Sequence, residues 1–256
     1  MTTADVPQPQ PVKWITKGGV RDIENALIVD HHGHPAPRVP SPDHIIARIA
    51  PAIDQFRHQE RRTGQDADTA PHAHQLRLTP RAEHQAIADA VDIPQILYNV
   101  PGRTACDMQA DTVAELAKVS NIVGIKEATG SMERLADIKR QVDDNFTLLT
   151  GDDSTTCEFI LNGGHGAISV TANVVPAKMA NMCQLALEGK AAEARAADAE
   201  IAELHRLLFI ESNPIPVKWA VSQMGFGELN LRLPMTVLDE KYQQPLKEAL
   251  VASGAL

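Results

Sequence analysis

The chain has 256 residues, of which 43% are hydrophobic and only 4% aromatic, and its formal net charge is -9. This length and composition predict one substantial core of aliphatic side chains, typical of an α/β domain. The negative charge argues against nucleic-acid binding, and no apolar stretch approaches the roughly 20 residues that cross a bilayer, so a small-molecule function in a soluble protein is favoured.

Residues 1–85 differ in composition from the rest and hold 8 of the 10 histidines and 10 of the 17 prolines. Because proline interrupts both helices and strands, only two short pieces resemble regular elements: a strand within NALIVDHH (25–32) and a helical spacing over residues 43–59. An excess of Arg, Pro and His is what GC-rich DNA gives out of frame. We therefore interpret residues 1–85 as an atypical segment, frameshifted or poorly ordered.

One motif in this segment suggests a different class of function. Asp30–His34 (DHHGH) carries three histidines and would fit a metal hydrolase. With no placed carboxylate partner and no helix to present the ligands, however, solvated histidines are the simpler interpretation.

From residue 86 onward, apolar runs alternate with amphipathic stretches. The runs IPQILYNV, NIVGIKEA, NFTLLTGDD and HGAISVTAN begin 20 to 28 residues apart, and each is followed by a helical pattern. This alternation predicts parallel strands with crossover helices, either in a barrel or in an open doubly wound sheet. Further helices follow, separated by a bend predicted at NPIPVKW (213–219).

Two strand-end residues suggest a reactive pair. Alternation places Ile122, Gly124 and Lys126 on one face of their strand, and Tyr98 lies near the end of the preceding strand. An amine desolvated in an apolar pocket becomes a nucleophile towards carbonyls, and a phenol can relay protons. On spacing alone, a solvated or ion-paired lysine and a packed tyrosine are the alternatives.

Other polar residues in this part have structural interpretations. Asp152 and Asp153 are expected to cap a helix rather than act as paired catalytic carboxylates, and Glu127 is expected to form an ion pair or hydrogen bond. The three cysteines, Cys106, Cys157 and Cys183, lack CxxC spacing and are expected to be buried thiols in a reducing cytoplasm.

Taken together, four segments resemble the dihydrodipicolinate synthases, within the larger family of pyruvate-dependent class I aldolases and lyases. The segments are ILYNVPGRTACDM, NIVGIKEATGSMERL, LLTGDDSTTCEFILNGGHGAISVTANVVP and FIESNPIPVKWA. The resemblance implies an α/β fold, a (β/α)8 TIM barrel with a C-terminal helical extension and an atypical or incomplete N-terminal half. It assigns residues 86–175 to the second half of the barrel and residues 176–256 to the last barrel helix and the C-terminal helices.

The resemblance also implies roles for five residues. Lys126 corresponds to the lysine that forms an imine with pyruvate, and Tyr98 to the proton relay. Arg103 corresponds to the arginine that binds the carboxylate of the incoming aldehyde. Gly151 and Ile168 line the pyruvate site through backbone groups.

The implied activity is condensation of pyruvate with L-aspartate 4-semialdehyde, without a metal or an organic cofactor, in a cytoplasmic homo-oligomer, either a dimer or a tetramer. The alternatives are another pyruvate-dependent aldolase, acting on sialic acids or keto-deoxy sugar acids, and a catalytically impaired remnant. Residues 1–85 lack two family motifs, a Gly-Thr-Thr-Gly-Glu turn and a Thr-Pro-Tyr-Tyr-Asn segment. Feedback inhibition by lysine is therefore not carried over.

Overall fold

The computed structural model describes residues 80–256 and, before them, the backbone of three short strands. Strands β1 (Trp14–Thr16) and β2 (Gly19–Arg21) form an antiparallel pair, and β3 (Leu27–Ile28) lies within the predicted strand NALIVDHH. The helix predicted over residues 43–59 and the histidine motif Asp30–His34 lie outside the described residues.

A parallel sheet organises the described part of the chain. Its strand order is β3, β4 (Gln95–Asn99), β5 (Ile122–Glu127), β6 (Thr147–Thr150) and β7 (Gly166–Ala167), and every neighbouring pair is parallel. Each strand from β4 onward pairs with the next strand in the chain, with at least one helix in each connection. The predicted α/β class with four consecutive parallel strands is confirmed.

The helices of residues 80–256 follow the amphipathic stretches of the sequence. They are α1 (Pro80–Ala90), α2 (Pro101–Thr104), α3 (Ala110–Leu116), α4 (Met132–Lys139), α5 (Thr156–Leu161), a 3-10 helix (Thr171–Asn173), α6 (Pro176–Leu187), α7 (Ala191–Ala199), α8 (Ala202–Leu207), α9 (Ile215–Gln223) and α10 (Glu240–Ala252). None of the helices in the described ranges has the length and apolar character needed to span a membrane.

One face of the sheet packs against helices α3 and α4. Leu97, Ile125 and Leu148 stand side by side in the strand register and are all buried. They join a single apolar cluster that includes Val113, Leu116, Leu135 and Ile138 from the two helices. Burying each such side chain contributes about 1.5 to 3 kcal/mol to the stability of the fold. This apolar layer therefore stabilises the face of the sheet that packs on α3 and α4.

A bulge at the start of β5 changes which face one residue occupies. The register steps from Gln95 opposite Ile122 to Ile96 opposite Gly124, so β5 carries one extra residue there. Ile122 therefore packs in the same cluster as Ile125. The prediction that Ile122 shares a face with Lys126 was wrong, because strict alternation fails across a bulge.

Strand β7 is shorter than the pattern predicted. Only Gly166–Ala167 pair with β6, and the remainder of HGAISVTAN turns into the 3-10 helix. The amide of Thr171 donates to Oδ2 of Asp153, and the amide of Ala172 donates to Oγ of Ser169. These backbone amides donate to side chains instead of to a neighbouring strand.

The C-terminal helices form a second apolar cluster with residues from α5 and the 3-10 helix segment. Met182, Leu204, Ala220 and Leu250 are among its fully buried members. The bend predicted at NPIPVKW is instead the start of α9, whose first turn contains Pro216. Proline is tolerated at that position because the first amides of a helix have no intrahelical acceptor.

Candidate active site

The site centres on Lys126 and Tyr98, which the strand register places side by side. Lys126 Nζ lies 4.1 Å from the centroid of the Tyr98 ring. Both side chains are half-buried and lie near the carboxyl ends of β4 and β5. The structure therefore brings together the amine and the phenol that sequence alternation indicated.

Two glycines permit close packing on and beside the strand that carries the lysine. A Cβ on Gly151 would lie 2.6 Å from Cε of Lys126, and a Cβ on Gly124 would lie 2.6 Å from the carbonyl oxygen of Thr147. Real Cβ atoms do not approach other atoms so closely. Gly124 thus permits close pairing of β5 with β6, and Gly151 lets the Lys126 side chain extend past the end of β6.

Gly151 and Ile168 directly follow the last residues of β6 and β7. The amide of Gly151 donates to the carbonyl oxygen of Glu127 at 2.7 Å, and the amide of Ile168 donates to the carbonyl oxygen of Thr150 at 2.9 Å. Both amides are thus engaged with neighbouring strands, and the carbonyl groups are the backbone groups these residues can offer to a ligand.

Arg103 lies in α2, directly after β4, and is exposed. Its Nη1 donates to the carbonyl oxygen of Asn213 at 3.5 Å, a long hydrogen bond. This contact brings the PGRT motif next to the NPIPVKW motif, although the two are far apart in the chain. A guanidinium in this position could hold a carboxylate by two parallel hydrogen bonds.

The acidic residues near the site have structural contacts, but neither caps a helix as expected. Oδ1 of Asp152 accepts from the amide and hydroxyl of Thr155 just before α5, and Asp153 accepts from the Thr171 amide. Thr155 is the N-cap residue of α5 and has no side-chain capping bond, while Asp153 is buried and ties β6 to the 3-10 helix. Among the described residues, no group of three or more His, Cys, Asp or Glu side chains could hold a metal ion.

Glu127 forms hydrogen bonds, as predicted, but its main partner was missed. Asn99 Nδ2 donates to Oε2 of Glu127 at 2.9 Å and to Oδ1 of Asp107 at 2.9 Å, while Arg134 holds Asp107 with two bonds of 2.8 Å. These bonds from Arg134 are the main reason that the pKa of Asp107 is held well below its usual range. The available signal in the sequence was that Asn99 and Glu127 directly follow Tyr98 and Lys126.

A second buried polar group lies between β6 and the C-terminal helices. The hydroxyl of Thr171 is 2.9 Å from Nδ1 of His205, and Nε2 of His205 is 3.4 Å from Oδ1 of Asp198. Asp153, Thr171 and His205 are all buried. They link the segment after Ile168 to α7 and α8, and the sequence analysis singled out neither Thr171 nor His205.

The cysteines only partly match their prediction. Cys157 is buried and Cys183 is partly buried, and burial raises the pKa of Cys157 to about 11 and that of Cys183 to about 12. Cys106 is exposed, so its prediction as a buried thiol was wrong. It follows Ala105, which adopts a left-handed conformation (φ 52°) at the end of α2 and turns the chain towards solvent.

Comparison with known proteins gives the same family at the level of sequence and structure. The dihydrodipicolinate synthetase family model matches residues 81–253. The 4-hydroxy-tetrahydrodipicolinate synthase of Alcanivorax borkumensis is 59% identical over 171 residues, which cover 67% of this chain and 58% of that protein. Across several such curated relatives, this chain spans 57% to 59% of their length.

Solved structures are also similar. The crystal structure of dihydrodipicolinate synthase from Thermotoga maritima matches with a TM-score of 0.67 and 34% identity, covering 70% of this chain and 63% of that one. The chloride-inhibited dihydrodipicolinate synthase from Acinetobacter baumannii, complexed with pyruvate, matches with a TM-score of 0.71 and 34% identity, covering 95% of this chain and 96% of that one.

Proposed function

Because this chain belongs to the dihydrodipicolinate synthetase family, we propose that it is a Schiff-base-forming lyase that condenses pyruvate with L-aspartate 4-semialdehyde to give 4-hydroxy-tetrahydrodipicolinate. The observation that carries this proposal is the position of Lys126 Nζ, 4.1 Å from the Tyr98 ring centroid at the carboxyl ends of two parallel strands. A half-buried amine beside a phenol suits imine chemistry.

The reaction begins when the unprotonated amine of Lys126 attacks the ketone carbon of pyruvate and water leaves, forming an imine. The imine loses a methyl proton and becomes an enamine, whose carbon attacks the aldehyde carbon of the semialdehyde. The aldehyde oxygen takes up a proton as the carbon–carbon bond forms. The amine of the second substrate then displaces Lys126 by transimination, which closes the ring and regenerates the free lysine.

Tyr98 is the residue best placed to carry protons during these steps. Its ring centroid lies 4.1 Å from Lys126 Nζ, so a phenol stands beside the amine that would form the imine. A positioned acid–base group of this kind typically contributes about 10²- to 10⁴-fold to the rate. We assign proton relay to Tyr98 and covalent catalysis to Lys126.

The remaining site residues bind substrate in this proposal. Gly151 and Ile168 offer carbonyl oxygens that can accept a hydrogen bond from the N–H of the protonated imine, since both of their amides are engaged in the sheet. Arg103 binds the carboxylate of the semialdehyde, because a guanidinium matches the geometry of a carboxylate and stays charged at all working pH values. Its contact with the Asn213 carbonyl keeps the guanidinium beside the start of α9.

The proposal includes the architecture that this family implies. Residues 86–175 supply the second half of a (β/α)8 barrel, and residues 176–256 supply its last helix and the C-terminal helices. The unbroken parallel order β4 to β7 and the structural similarity to dihydrodipicolinate synthases support it. Three free cysteines fit a cytoplasmic location, and we propose a homo-oligomer, either a dimer or a tetramer, by family likeness.

Borohydride trapping tests the proposed chemistry directly. Incubating the full chain with pyruvate and sodium borohydride should give a stable adduct on the peptide that contains Lys126, identified by mass spectrometry, because only an imine is reduced. Adduct on another lysine, or none at all, would refute the assignment. Condensation with the semialdehyde is measured in parallel, and trapping without condensation would favour the impaired remnant.

A further inference from the structure

A buried amide–carboxylate pair lies directly behind Tyr98 and Lys126. The register places Asn99 opposite Glu127, one residue beyond the pairing of Tyr98 with Lys126. Because strand side chains alternate, Asn99 and Glu127 point away from the site, towards the helix layer. Each is only 2% exposed, so their polar atoms depend on partners within the protein.

The carboxylate of Glu127 receives a donor at each oxygen. Asn99 Nδ2 donates to Oε2 at 2.9 Å, and the amide of Thr129 donates to Oε1 at 2.7 Å. Two donors and two acceptor oxygens match an ionised carboxylate. This arrangement joins the last residue of β4 to the last residue of β5 through side chains.

The amide of Asn99 is engaged on its other sides as well. Its Oδ1 accepts from the amide of Met108 at 2.9 Å, and its Nδ2 also donates to Asp107. Arg134, in α4, then binds both oxygens of Asp107 and the carbonyl oxygen of Met108. A connected set of bonds therefore runs from α4 to the ends of both strands.

The pair lies where the backbone pairing of β4 with β5 ends. Strands β4 and β5 end at Asn99 and Glu127, and one further backbone bond, from the Ala128 amide to the Asn99 carbonyl, follows them. Beyond that point, within the described residues, no strand pairing fixes the segment after β4 relative to the segment after β5. Satisfied buried polar groups specify a unique arrangement, whereas unsatisfied ones disrupt it.

We propose that Asn99 and Glu127 are positioning residues that hold Tyr98 and Lys126 at the separation required for imine formation. The inference rests on the proposed function, in which Lys126 is the nucleophile and Tyr98 the proton relay. Neither Asn99 nor Glu127 touches substrate, and both act through the backbone of the residue that precedes them.

The substitution Glu127→Gln tests this with little change in shape. An amide has a single acceptor oxygen, so one of the two donors, Asn99 Nδ2 or the Thr129 amide, must face an NH2 group. Trapping of pyruvate on Lys126 at saturating pyruvate should slow by about 10- to 100-fold, the scale of effect expected from a misplaced reacting group. The matched control is Glu133→Gln, an exposed position in the first turn of α4, which should trap at the wild-type rate.

A swap of the two groups separates positioning from general destabilisation. Asn99→Asp alone places the new carboxylate against those of both Glu127 and Asp107, because Asn99 Nδ2 donates to both, and should also slow trapping. The double variant Asn99→Asp with Glu127→Gln restores the donor–acceptor pair between the strand ends and leaves only the contact with Asp107 unfavourable. It should trap pyruvate faster than Asn99→Asp alone, even though it carries more substitutions.

A second readout does not depend on pyruvate. Reductive methylation with formaldehyde and cyanoborohydride, followed by peptide mass spectrometry, gives the rate at Lys126 relative to exposed Lys247 in the same sample. If wild type traps no pyruvate, the proposed function fails. The methylation ratio alone then tests whether Asn99 and Glu127 position Lys126. A ratio changed in both single variants, and closer to the wild-type value in the double variant than in Asn99→Asp, supports the inference. The inference would be overturned if both single variants kept the methylation ratio and the trapping rate of wild type and only their melting temperature fell.

Discussion

A Cβ added to Gly151 would lie 2.6 Å from Cε of Lys126. The same Cβ would also lie 2.9 Å from Cβ of Ala128, so it would be crowded on two sides. The path of the lysine side chain past the end of β6 therefore requires glycine at this position.

The substitution Gly151→Ala should displace Lys126 and abolish most pyruvate trapping while the fold is retained. The expected loss is at least about 100-fold, since a displacement on the order of 1 Å can cost that much. Trapping rates followed by mass spectrometry give the measurement. Gly102→Ala is the control, because a Cβ there meets nothing within 4 Å. Equal trapping in the two variants would contradict the steric argument.

Lys126 and Tyr98 should give distinct phenotypes. Lys126→Ala and Lys126→Arg should both abolish the adduct, because a guanidinium does not lose its proton to become a usable nucleophile. Tyr98→Phe keeps the amine and the ring contact but lacks the hydroxyl. Trapping should persist at a reduced rate while condensation slows by about 10²- to 10⁴-fold. An unchanged condensation rate in Tyr98→Phe would remove the tyrosine from the mechanism.

Arg103→Ala should affect the second substrate alone. Its guanidinium is exposed and lies beside the Asn213 carbonyl. Pyruvate trapping should stay within about twofold of wild type, whereas the KM for the semialdehyde should rise by about 10- to 100-fold, the equivalent of a lost charge-assisted hydrogen bond. Arg103→Lys should recover only part of the affinity, since it cannot form two parallel bonds. A matching loss in pyruvate trapping would argue against this division.

The ion pair of Asp107 with Arg134 should make stability depend on acidity. Because the folded-state pKa of Asp107 lies below the unfolded value of about 3.9, its contribution is complete above that value and disappears as the pH falls through the folded pKa. Asp107→Asn should therefore be less stable than wild type at pH 7. The difference in the free energy of unfolding between the two proteins should shrink as the pH falls below 4.

Urea midpoints measured between pH 7 and pH 2 provide the check on Asp107. Arg134→Met is the matched control, because it removes the main cause of the lowered pKa. In that background, Asp107→Asn should have an effect on the midpoint that varies much less with pH. If the difference in midpoint between wild type and Asp107→Asn stayed constant across this pH range, the ion pair would contribute little to stability.

Thr171→Val should destabilise the segment that follows Ile168. Valine has nearly the same shape but cannot hydrogen-bond to Nδ1 of His205, which is buried. Leaving a buried polar atom unpaired costs about 1 to 3 kcal/mol in the free energy of unfolding. Thr112→Val, at a half-buried position in α3, is the control and should change this free energy by less than about 0.5 kcal/mol. Equal effects would show that the hydroxyl of Thr171 contributes nothing specific.

The sequence predicted the strand–helix alternation and the meeting of Lys126 with Tyr98. Both follow from local information, since apolar runs define strands and parallel strands bring their carboxyl ends together. These features required no knowledge of which distant residues touch.

The features that were missed depend on contacts across the fold. The bulge opposite Gln95 arises only when β5 pairs with β4, so strict alternation misplaced Ile122. Strand β7 is cut short because Asp153, a side chain from the preceding strand's turn, takes the Thr171 amide. The roles of Asn99 and Glu127 appear only once the register sets them opposite each other. No single-residue propensity encodes such pairings.

The strand order has a consequence for how this region folds. Lys126 is held between Tyr98 and Leu149, which belong to the strands immediately before and after its own in the chain. Loop closure between consecutive elements costs little entropy, and structures rich in sequence-local contacts fold fast. On a ribosome, the surroundings of Lys126 can thus assemble as soon as β6 has emerged, before any of the C-terminal helices has formed.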